Sequence, residues 1–465
     1  MSKHARVLLA LVIVGAVFVP TEVKPDTFAD YVILRNVNVA PGVNYKKVKD
    51  SKGPNRIFIL TVNPQKAVTL DVALAGNHLG HAERTTSMAS RHNAVAAING
   101  DFGTWSGRPA FGFMEDGHLK IDPTCCPTDF AIRRNEKRAY FGEPDFGMTL
   151  WELDSNERWR IHRWNRRTPS GNEIAAYTTA GGSFALPPNA GCSARLVPRG
   201  GLVWAGSGLG REYAVDRAGC HDRRFPRQNA VVLSADRGTA QSRQLKSLKA
   251  GERVRLLWTF GWPGIMENMG GTPVLMRGGS IVARNCRASL CARHPRTGIG
   301  RRADGRLLLI VVDGRRRASV GMTLVEFARL FKSLGATHAL NLDGGGSSTM
   351  VVKGSIKNVP SDGRERPVIN ALLVLPGPDR REAAPGSGFA TAGARLSADE
   401  AGDDQPAVRL GPADSIERFR SAAARDAASA GGMVDALARG SLGRRPSALP
   451  PDFISLLRAF RNRPR

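Results

Sequence analysis

The stretch Arg306-Leu-Leu-Leu-Ile-Val-Val312 is a continuous apolar run that ends at Asp313. Its length and its β-branched residues are typical of a strand that is buried on both faces. A second apolar run, His338 to Leu342, ends at Asp343 in the same way. The two runs predict two strands of one sheet, each with a carboxylate at its end.

The segment between these runs has the features of a helix. Thr323-Leu-Val-Glu326 is a capping box, apolar residues then recur at helical spacing, and Gly335 stands where a C-cap glycine belongs. Strand, helix and strand with short connections predict a right-handed βαβ unit at about residues 306–343. Asp313 and Asp343 would then share the carboxyl ends of parallel strands, about 5 Å apart at Cα if the strands were neighbours.

The rest of the chain before residue 379 predicts further β structure. Short apolar runs alternate with turns at about 30–120, where Thr85 to His92 has the pattern of a helix. Residues of about 120–260 read as loop-rich, with strands expected near Tyr140, Trp159, Val231 and Val254. We therefore expect an α+β fold, with a mixed β-sheet core, flanking helices and the βαβ unit.

A glycine run continues the second strand in Asn341-Leu-Asp343-Gly-Gly-Gly-Ser347-Ser348-Thr-Met350. Ordering Gly344, Gly345 and Gly346 is costly in backbone entropy, so such a run usually brings the backbone close to something. Its N–H groups and the Ser347 and Ser348 hydroxyls would suit an anion. The alternative is a tight turn between strands. No Gly-x-Ser-x-Gly elbow surrounds Ser347, which argues for ligand binding rather than a nucleophile.

Carboxylates at strand ends have two chemical uses. Asp313 and Asp343 would act as acid and base, or would hold a divalent cation such as calcium or magnesium. The sequence does not require a cofactor and does not identify metal ligands. For Asp313, which precedes Gly314, the cap of a turn is a serious alternative.

Several motifs occur together in an ordered set. They are His294-Pro-Arg296-Thr297-Gly-Ile-Gly300, the strand ending at Asp313-Gly314-Arg315, Gly321-Met-Thr-Leu324, Asn341 to Ser348, and Arg364-Glu-Arg366-Pro-Val368-Ile-Asn370. In this order they resemble the phosphodiester glycosidase family. The closest match covers about 266–376, and a looser one extends upstream through Ala96-Ala-Ile-Asn99-Gly-Asp101-Phe102. Many members carry a second phenylalanine where Gly103 stands here.

The resemblance implies hydrolysis of a sugar-1-phosphodiester, and it leaves the sugar open. Arginine forks suit the phosphate, which makes Arg296 and Arg366 candidates and Arg315 a weaker one. Thr297 lies in the same motif as Arg296. Asn99 would bond a sugar hydroxyl or a phosphate oxygen, or would only close an Asx turn.

The acid and base remain open among four residues. A carboxylate is the natural base for water, with Asp343 as first choice and Asp101 as second, because Asp101 follows an apolar strand. His294 would serve as an acid near neutral pH, or would be a hydrogen-bonded histidine at a loop edge. Asp313 is the fourth candidate.

The two ends of the chain differ from its middle. Basic residues and an apolar run from Val7 to Val19 predict a signal peptide or an N-terminal anchor in residues 1–25. We expect the catalytic domain at 26–378 and a low-complexity, mostly disordered tail at 379–465.

The six cysteines suit an exported protein in an oxidising compartment. Cys286 with Cys291 and Cys192 with Cys220 are plausible disulfides, whereas the adjacent Cys125 and Cys126 form the least secure pair. Zinc is a weak alternative because the chain has no two Cys-x-x-Cys knuckles.

The net charge of +26 attracts polyanions. No recognisable DNA-binding element accompanies it, so we expect no nucleic acid partner. A phosphate-linked cell-surface glycan as substrate, and an anionic wall polymer or membrane surface as partner, fit an exported protein better. The alternative function is a non-catalytic binder of anionic cell-wall glycans, and the three acids Asp101, Asp313 and Asp343 argue against it.

Overall fold

The computed structural model describes residues 31–50, 53–104, 107–123, 129–133, 138–166, 171–182, 191–205, 208–220 and 230–378. The expected leader (1–25), the expected tail (379–465) and the cysteines at 125 and 126 lie outside the described residues. No helix among the described residues is long and apolar enough to cross a membrane.

The described chain is mostly β structure in four sheets, with strands numbered here in chain order. What we call the first sheet has, in spatial order, β1 (Tyr31–Ala40), β2 (Val43–Asp50), β3 (Asn55–Val62), β22 (Leu307–Val312), β21 (Arg296–Arg302), β23 (Ala336–Asn341), β19 (Val274–Arg277) and β20 (Ser280–Ile281). Helix α3 (Leu324–Ser333) packs on β19, β20 and β23. The capping box of Thr323 and Glu326 and the left-handed Gly335 after the helix are confirmed.

The expected βαβ unit is present only in part. The strands β22 and β23 run in the same direction, because each pairs antiparallel with β21. However, β21 lies between them, so they are not neighbours. The ends that carry Asp313 and Asp343 are therefore about 10 Å apart, two strand spacings, rather than about 5 Å.

A second sheet lies against the first. Its strands, in spatial order, are β25 (Ser355–Ile356), β24 (Met350–Val352), β5 (Ala96–Asn99), β26 (Asn370–Pro376) and β4 (Val68–Leu74). Alternating residues such as Ile98 and Leu372 fill the core between the two sheets, together with Leu309 of the first. The intervening residues face α1 (Thr85–Arg91), which confirms the helix expected there. The layers are thus helix, sheet, sheet and helix.

Two more sheets complete the described fold. The bridging sheet contains β7 (His118–Ile121), β6 (Phe113–Glu115), β18 (Glu267–Gly270), β8 (Asp129–Arg133) and β9 (Arg138–Gly142). The outer sheet contains β11 (Arg158–Arg160), β10 (Gly147–Glu152), β17 (Arg253–Thr259), β15 (Gly208–Cys220), β14 (Cys192–Ala205), β16 (Val231–Ala235), β13 (Ala175–Tyr177) and β12 (Arg163–Trp164), with α2 (Ala240–Ser247) beside it. The described residues of the region 120–260 are therefore mostly in strands, and for them the loop-rich expectation was wrong.

The four sheets support a mostly β fold rather than the α+β class expected. Among the described strand pairs only β12 with β13 is parallel, so the mixed core is almost wholly antiparallel. Short 3₁₀ turns occur at Ala75–Asn77, Thr179–Gly181, Ser289–Cys291 and Gly345–Ser347.

Both expected disulfides are present, Cys192–Cys220 and Cys286–Cys291. The first joins the open ends of the long β14–β15 hairpin, where the two cysteines face each other in register. The second closes a small loop just before β21.

Candidate active site

The glycine run forms a tight turn between β23 and β24, and each glycine has its own reason. A Cβ at Gly344 would lie 2.8 Å from the carbonyl oxygen of Pro295. Gly345 has a left-handed φ of 61°, which L-residues with a side chain rarely adopt. A Cβ at Gly346 would overlap the side chains of Arg366 and Asp362. The backbone does approach something closely, and that partner is the protein itself.

Most N–H groups of this turn already have acceptors. Gly345 donates to the carbonyl oxygen of Pro295 at 2.9 Å, Ser347 to that of Gly344 at 3.1 Å, and Ser348 to that of Gly345 at 3.3 Å. These groups are therefore committed to holding the turn. An anion at this place would depend more on side chains than on a ring of backbone donors.

Asn99 holds three segments of the site together. Its amide oxygen accepts from the Thr297 hydroxyl at 2.8 Å and from the Thr349 N–H at 3.0 Å. Its amide nitrogen donates to the backbone oxygen of Asp343 at 2.7 Å. Asn99 is fully buried. Asn99 and Thr297 therefore fix the end of β5 against β21 and the glycine turn, and contact with substrate stays a prediction for both.

Asp101 is a buried acid beside this turn. Its backbone N–H donates to the side chain of Asn370 at 2.7 Å, and its Oδ2 accepts from the Phe111 N–H at 3.4 Å. Its Oδ1 is shielded from solvent and has no hydrogen-bond partner among the described residues. Burial raises the pKa of Asp101 well above its usual value, and the charges of Asp129 and Asp343 raise it further. Asp101 therefore keeps its proton to a higher pH than an ordinary aspartate does.

Asp343 lies next to Asp101 in space. Its backbone N–H donates to the carbonyl oxygen of Gly100 at 3.0 Å, and its carboxylate acts on the pKa of Asp101. Asp343 is only half-buried. Burial favours the protonated form of a carboxyl group, and contact with solvent favours the ionised form. A buried and a partly exposed carboxyl group side by side can therefore act as an acid and a base.

Asp313 lies at the same edge of the first sheet and serves a neighbouring segment. Its Oδ1 accepts from the Val359 N–H at 2.9 Å, and its backbone oxygen accepts from the Ser319 hydroxyl at 2.8 Å. Burial raises its pKa, while hydrogen bonds from Val359 and Asn358 lower it. The sharing of one crevice with Asp343 was expected on the condition that the two strands were neighbours, and this condition is not met, because β21 intervenes. Asp313 instead fixes the segment that follows β25.

Arg296 points away from the second sheet. It faces Val312 in the register, so its side chain lies on the face covered by α3. Its guanidinium donates to the carbonyl oxygens of Met322 at 2.8 Å, Leu290 at 2.8 Å and Ala292 at 2.6 Å. These three carbonyl acceptors satisfy the guanidinium inside the protein, so a structural role accounts for the burial of Arg296. Phosphate binding by Arg296 stays a prediction.

His294 and Arg315 form a pair at the edge of the site. The His294 Nε2 lies 2.9 Å from the carbonyl oxygen of Ser289, and Arg315 approaches Nδ1 at 3.2 Å. This arrangement suits the neutral tautomer with its proton on Nε2. It favours a histidine that orders loops over one that supplies a proton.

Arg366 lies over the glycine turn. Its Nε donates to Asp362 Oδ2 at 2.9 Å and its Nη2 to the same oxygen at 2.6 Å, while its Nη1 lies 3.5 Å from the Ser347 hydroxyl. The Arg366 side chain is 29% exposed. Arg366 is thus the predicted arginine that combines access to solvent with contact to the glycine turn.

Residues 210–375 match the phosphodiester glycosidase family. The resemblance to this family is confirmed.

Relatives share only part of their length with this chain. The SPbeta prophage-derived uncharacterized protein YomE of Bacillus subtilis is 47% identical over 87 residues, which are 19% of this chain and 14% of YomE. The N-acetylglucosamine-1-phosphodiester alpha-N-acetylglucosaminidase of Bos taurus is 32% identical over 111 residues, 21% of each chain. This chain therefore spans about a fifth or less of these relatives.

One solved structure supports the fold. A hypothetical protein from Synechocystis superimposes with a TM-score of 0.55 at 20% identity, covering 72% of this chain and 62% of that one. This likeness concerns the fold alone.

The departure from the phosphodiester glycosidase pattern at Gly103 has a local explanation. A Cβ at this position would overlap the side chain of Ile369, and Gly103 pairs with Pro109 in an isolated bridge. The absence of a side chain lets Ile369 pack against the backbone beside Asp101. A phenylalanine here would require Ile369 to move.

Sequence reasoning missed Asp129 and Asn268, which lie on the bridging sheet behind Asp101. Asn268 donates to Asp129 Oδ2 at 2.8 Å and to the carbonyl oxygen of Gly112 at 3.2 Å. Burial raises the pKa of Asp129 to about 7. The sequence around Asp129 has no feature that marks it as a site residue. The run Asn268-Met-Gly-Gly is similar to the glycine run after Asp343, because in both a polar residue precedes glycines, and this similarity was the available clue.

Three further carboxylates converge elsewhere on the described chain. Asp71, Asp116 and Glu267 bring one carboxylate oxygen each within 4.8 Å of one another. The Asp116 N–H also donates to Glu267 at 3.0 Å. Oxygen ligands of this kind suit calcium or magnesium. These residues do not belong to the predicted site.

Proposed function

We propose that this chain hydrolyses a sugar-1-phosphodiester. The observation that carries the proposal is the pair of Asp101 and Asp343, which lie together at the glycine turn in unequal surroundings. The match of residues 210–375 to the phosphodiester glycosidases supports the same reaction class.

The two acids take different roles in this reaction. Asp343, partly exposed, accepts a proton from water as the water oxygen bonds to the anomeric carbon. The bond from that carbon to the phosphate oxygen breaks, and its electron pair leaves with the phosphate. Asp101, whose pKa is raised by burial, supplies a proton to the leaving oxygen. The products are a free sugar and a phosphomonoester.

Arg366 is the group best placed to hold the phosphate. A guanidinium binds phosphate oxygens through charge-assisted bonds. Asp362 now accepts two of its N–H groups. A bound phosphate would replace or share those bonds, with the Ser347 hydroxyl beside it. The turn beneath Arg366 is shaped by three further predicted residues, Gly344, Gly345 and Ser348.

The substrate and location are parts of the proposal. We infer an exported protein that acts on a phosphate-linked cell-surface glycan, because two disulfides fit an oxidising compartment. The relative from Bos taurus is named for N-acetylglucosamine, which makes this sugar the first to try. Calcium or magnesium is included in the test because of the Asp71, Asp116 and Glu267 group.

Phosphorus NMR tests the proposal directly. The wild-type chain, Asp343→Ala and the control Asp154→Asn are incubated with UDP-N-acetylglucosamine, with and without calcium or magnesium. Asp154 is an exposed acid in the turn between β10 and β11, its side chain 61% exposed. We expect a phosphomonoester signal from the wild type and the control only. Binding without conversion by any variant, across a panel of sugar phosphodiesters, would favour the glycan-binder alternative.

A further inference from the structure

A groove lies at the end of the first sheet that is remote from Asp343. Its volume is about 420 Å³, which is within the usual range of small-ligand pockets, about 300–1,000 Å³. Its polar lining consists of Asn38, Asn44, Thr61, Asn63, Lys66 and Arg306. Amides, a hydroxyl and two cations are a set that matches a ligand with hydroxyl groups and negative charge.

The strand register places the amides in one row. Asn38 faces Asn44, and Asn44 faces Thr61, across β1, β2 and β3. Residues paired in this way lie on the same face of a sheet. The Asn44 amide nitrogen donates to Asn38 at 2.9 Å and to Asn36 at 2.9 Å. Its amide oxygen is shielded and has no hydrogen-bond partner among the described residues.

This row lies on the same face of the first sheet as α3. The helix packs on β19, β20 and β23, which form the opposite part of the sheet. A polar row on β1–β3 therefore faces outward beside the helix layer. Apolar side chains would be expected there if another element covered that part.

The wall of the groove depends on Gly42. This glycine has a left-handed φ of 77°, and a Cβ there would lie 2.6 Å from the Cβ of Lys66. The Asn63 N–H donates to the Gly42 oxygen at 2.7 Å, and the Lys66 N–H donates to the Asn63 oxygen at 3.1 Å. Close packing of two turns thus holds Lys66 at the rim.

The cations at the rim are accessible. Lys66 and Arg306 are both exposed. The Arg306 Nε lies 3.8 Å from Asp304, in an ion pair in which both side chains are more than 40% exposed. Exposed pairs of this kind contribute little, about 0–1 kcal/mol, so a phosphate can compete with Asp304 for Arg306.

We propose that this groove is a secondary binding site for a phosphorylated sugar, distinct from the site at Asp343. Arg306 and Asp313 flank β22 and are seven residues apart, which corresponds to about 23 Å along a strand. The amides of Asn38 and Asn63 would bond sugar hydroxyls, and Lys66 with Arg306 would bind the phosphate. A chain that binds a polymeric glycan at two places stays bound to it for longer. Binding here needs no catalysis, so it is measured independently of the proposed hydrolysis.

Hydrogen exchange with mass spectrometry tests the proposal on the full chain. The probe is N-acetylglucosamine 1-phosphate, with inorganic phosphate and N-acetylglucosamine as separate comparisons. We expect protection in peptides that cover residues 36–46 and 60–68. The double variant Lys66→Ala, Arg306→Ala removes two exposed cations, and Arg329→Ala, Lys246→Ala is the charge-matched control on helix surfaces.

The Kd of N-acetylglucosamine 1-phosphate at the groove should be at least about tenfold higher in the Lys66→Ala, Arg306→Ala variant than in the control variant, since two charge-assisted contacts are lost. Asp343→Ala should leave protection at the groove unchanged. Absence of protection at these peptides, or equal Kd values in both double variants, overturns the proposal. Equal protection by inorganic phosphate alone overturns the assignment to a sugar.

Discussion

At the scale of single residues, surroundings rather than residue type assign the chemistry. Asp101 and Asp343 are the same amino acid, yet one is buried with an oxygen that has no partner among the described residues, and the other is half-buried. Desolvation favours the neutral form of a carboxyl group and solvent favours the charged form. Sequence ranked Asp343 before Asp101 as the base and left the acid open, because burial is a property of the fold.

Asp343→Asn is expected to remove activity without unfolding the protein. The amide keeps the shape of the side chain but cannot accept a proton from water. The rate of phosphomonoester formation should fall by about 10²–10⁴-fold, the usual contribution of general acid–base catalysis. Thermal melts of both proteins should coincide. Full activity in this variant would remove Asp343 from the mechanism.

Asp129→Asn is expected to change how stability depends on pH. Burial raises the pKa of Asp129 to about 7 in the folded protein, against about 3.9 in an unfolded chain. Between these two pH values the folded state holds a proton that the unfolded chain has lost. This proton stabilises the folded state fully below about pH 4, and the stabilisation is lost as the pH rises to about 7. The variant stays neutral at every pH.

Urea unfolding at pH 5, 6, 7 and 8 measures this effect. The free energy of unfolding of Asp129→Asn relative to wild type should increase steadily from pH 5 to pH 7 and then level off. Asp154→Asn, an exposed acid, serves as the control and should show no such trend. A difference that does not change with pH would contradict a raised pKa at Asp129.

Alternation along β21 explains one weak point of sequence reasoning. Arg296 and Thr297 are adjacent in a motif, so both were candidates for the substrate site. In a strand, successive side chains point to opposite faces. Thr297 reaches Asn99 between the sheets, whereas Arg296 lies on the face of α3 and donates to three carbonyl groups.

At the scale of elements, local patterns were predicted well and pairings were not. The strand β22, the capped helix α3 and the strand β23 agree with the sequence pattern to within about two residues. Their direction was also correct. The insertion of β21 between the two strands depends on pairing in space, which hydrophobic periodicity does not encode.

Gly346→Ala tests the glycine turn as an element that positions Arg366. Its Cβ would displace the flexible ends of Arg366 and Asp362 while the backbone stays in place. We expect KM for the phosphodiester to rise by about 10- to 100-fold, the loss of one charge-assisted contact of about 1.5–3 kcal/mol. The melting temperature should change little.

Gly345→Ala is the matched comparison within the same turn. Its left-handed φ of 61° makes a side chain strained, at a cost of about 1–2 kcal/mol. This variant should lose stability. If Gly346→Ala were the less stable of the two and bound substrate normally, the turn would have a structural role alone.

At the scale of the whole molecule, the outer sheet was the largest feature that sequence did not predict. Its strands are joined by Gly, Pro and Arg-rich segments, which obscured the pattern. The isolated strands expected near Tyr140, Trp159, Val231 and Val254 are present. What was missed is the long hairpin of β14 and β15, which lies between β17 and β16 and joins the strands near Trp159, Val231 and Val254 into one sheet. The strand near Tyr140 belongs to the bridging sheet.

Deleting the chain after Pro378 is expected to leave a cooperatively folding protein. Strand β26, which ends at Pro376, lies between β5 and β4 in the second sheet, so it must be retained. The buried members of every hydrophobic cluster among the described residues lie at positions up to 374, and the partly buried Leu375 packs against one of them. We expect the melting temperature to shift by less than about 2 °C, equivalent to under about 1 kcal/mol. A control that ends at 368 removes β26 and should not melt cooperatively. Loss of a cooperative transition in the first truncation would show that residues after 378 contribute to the fold, and would overturn the boundary expected between domain and tail.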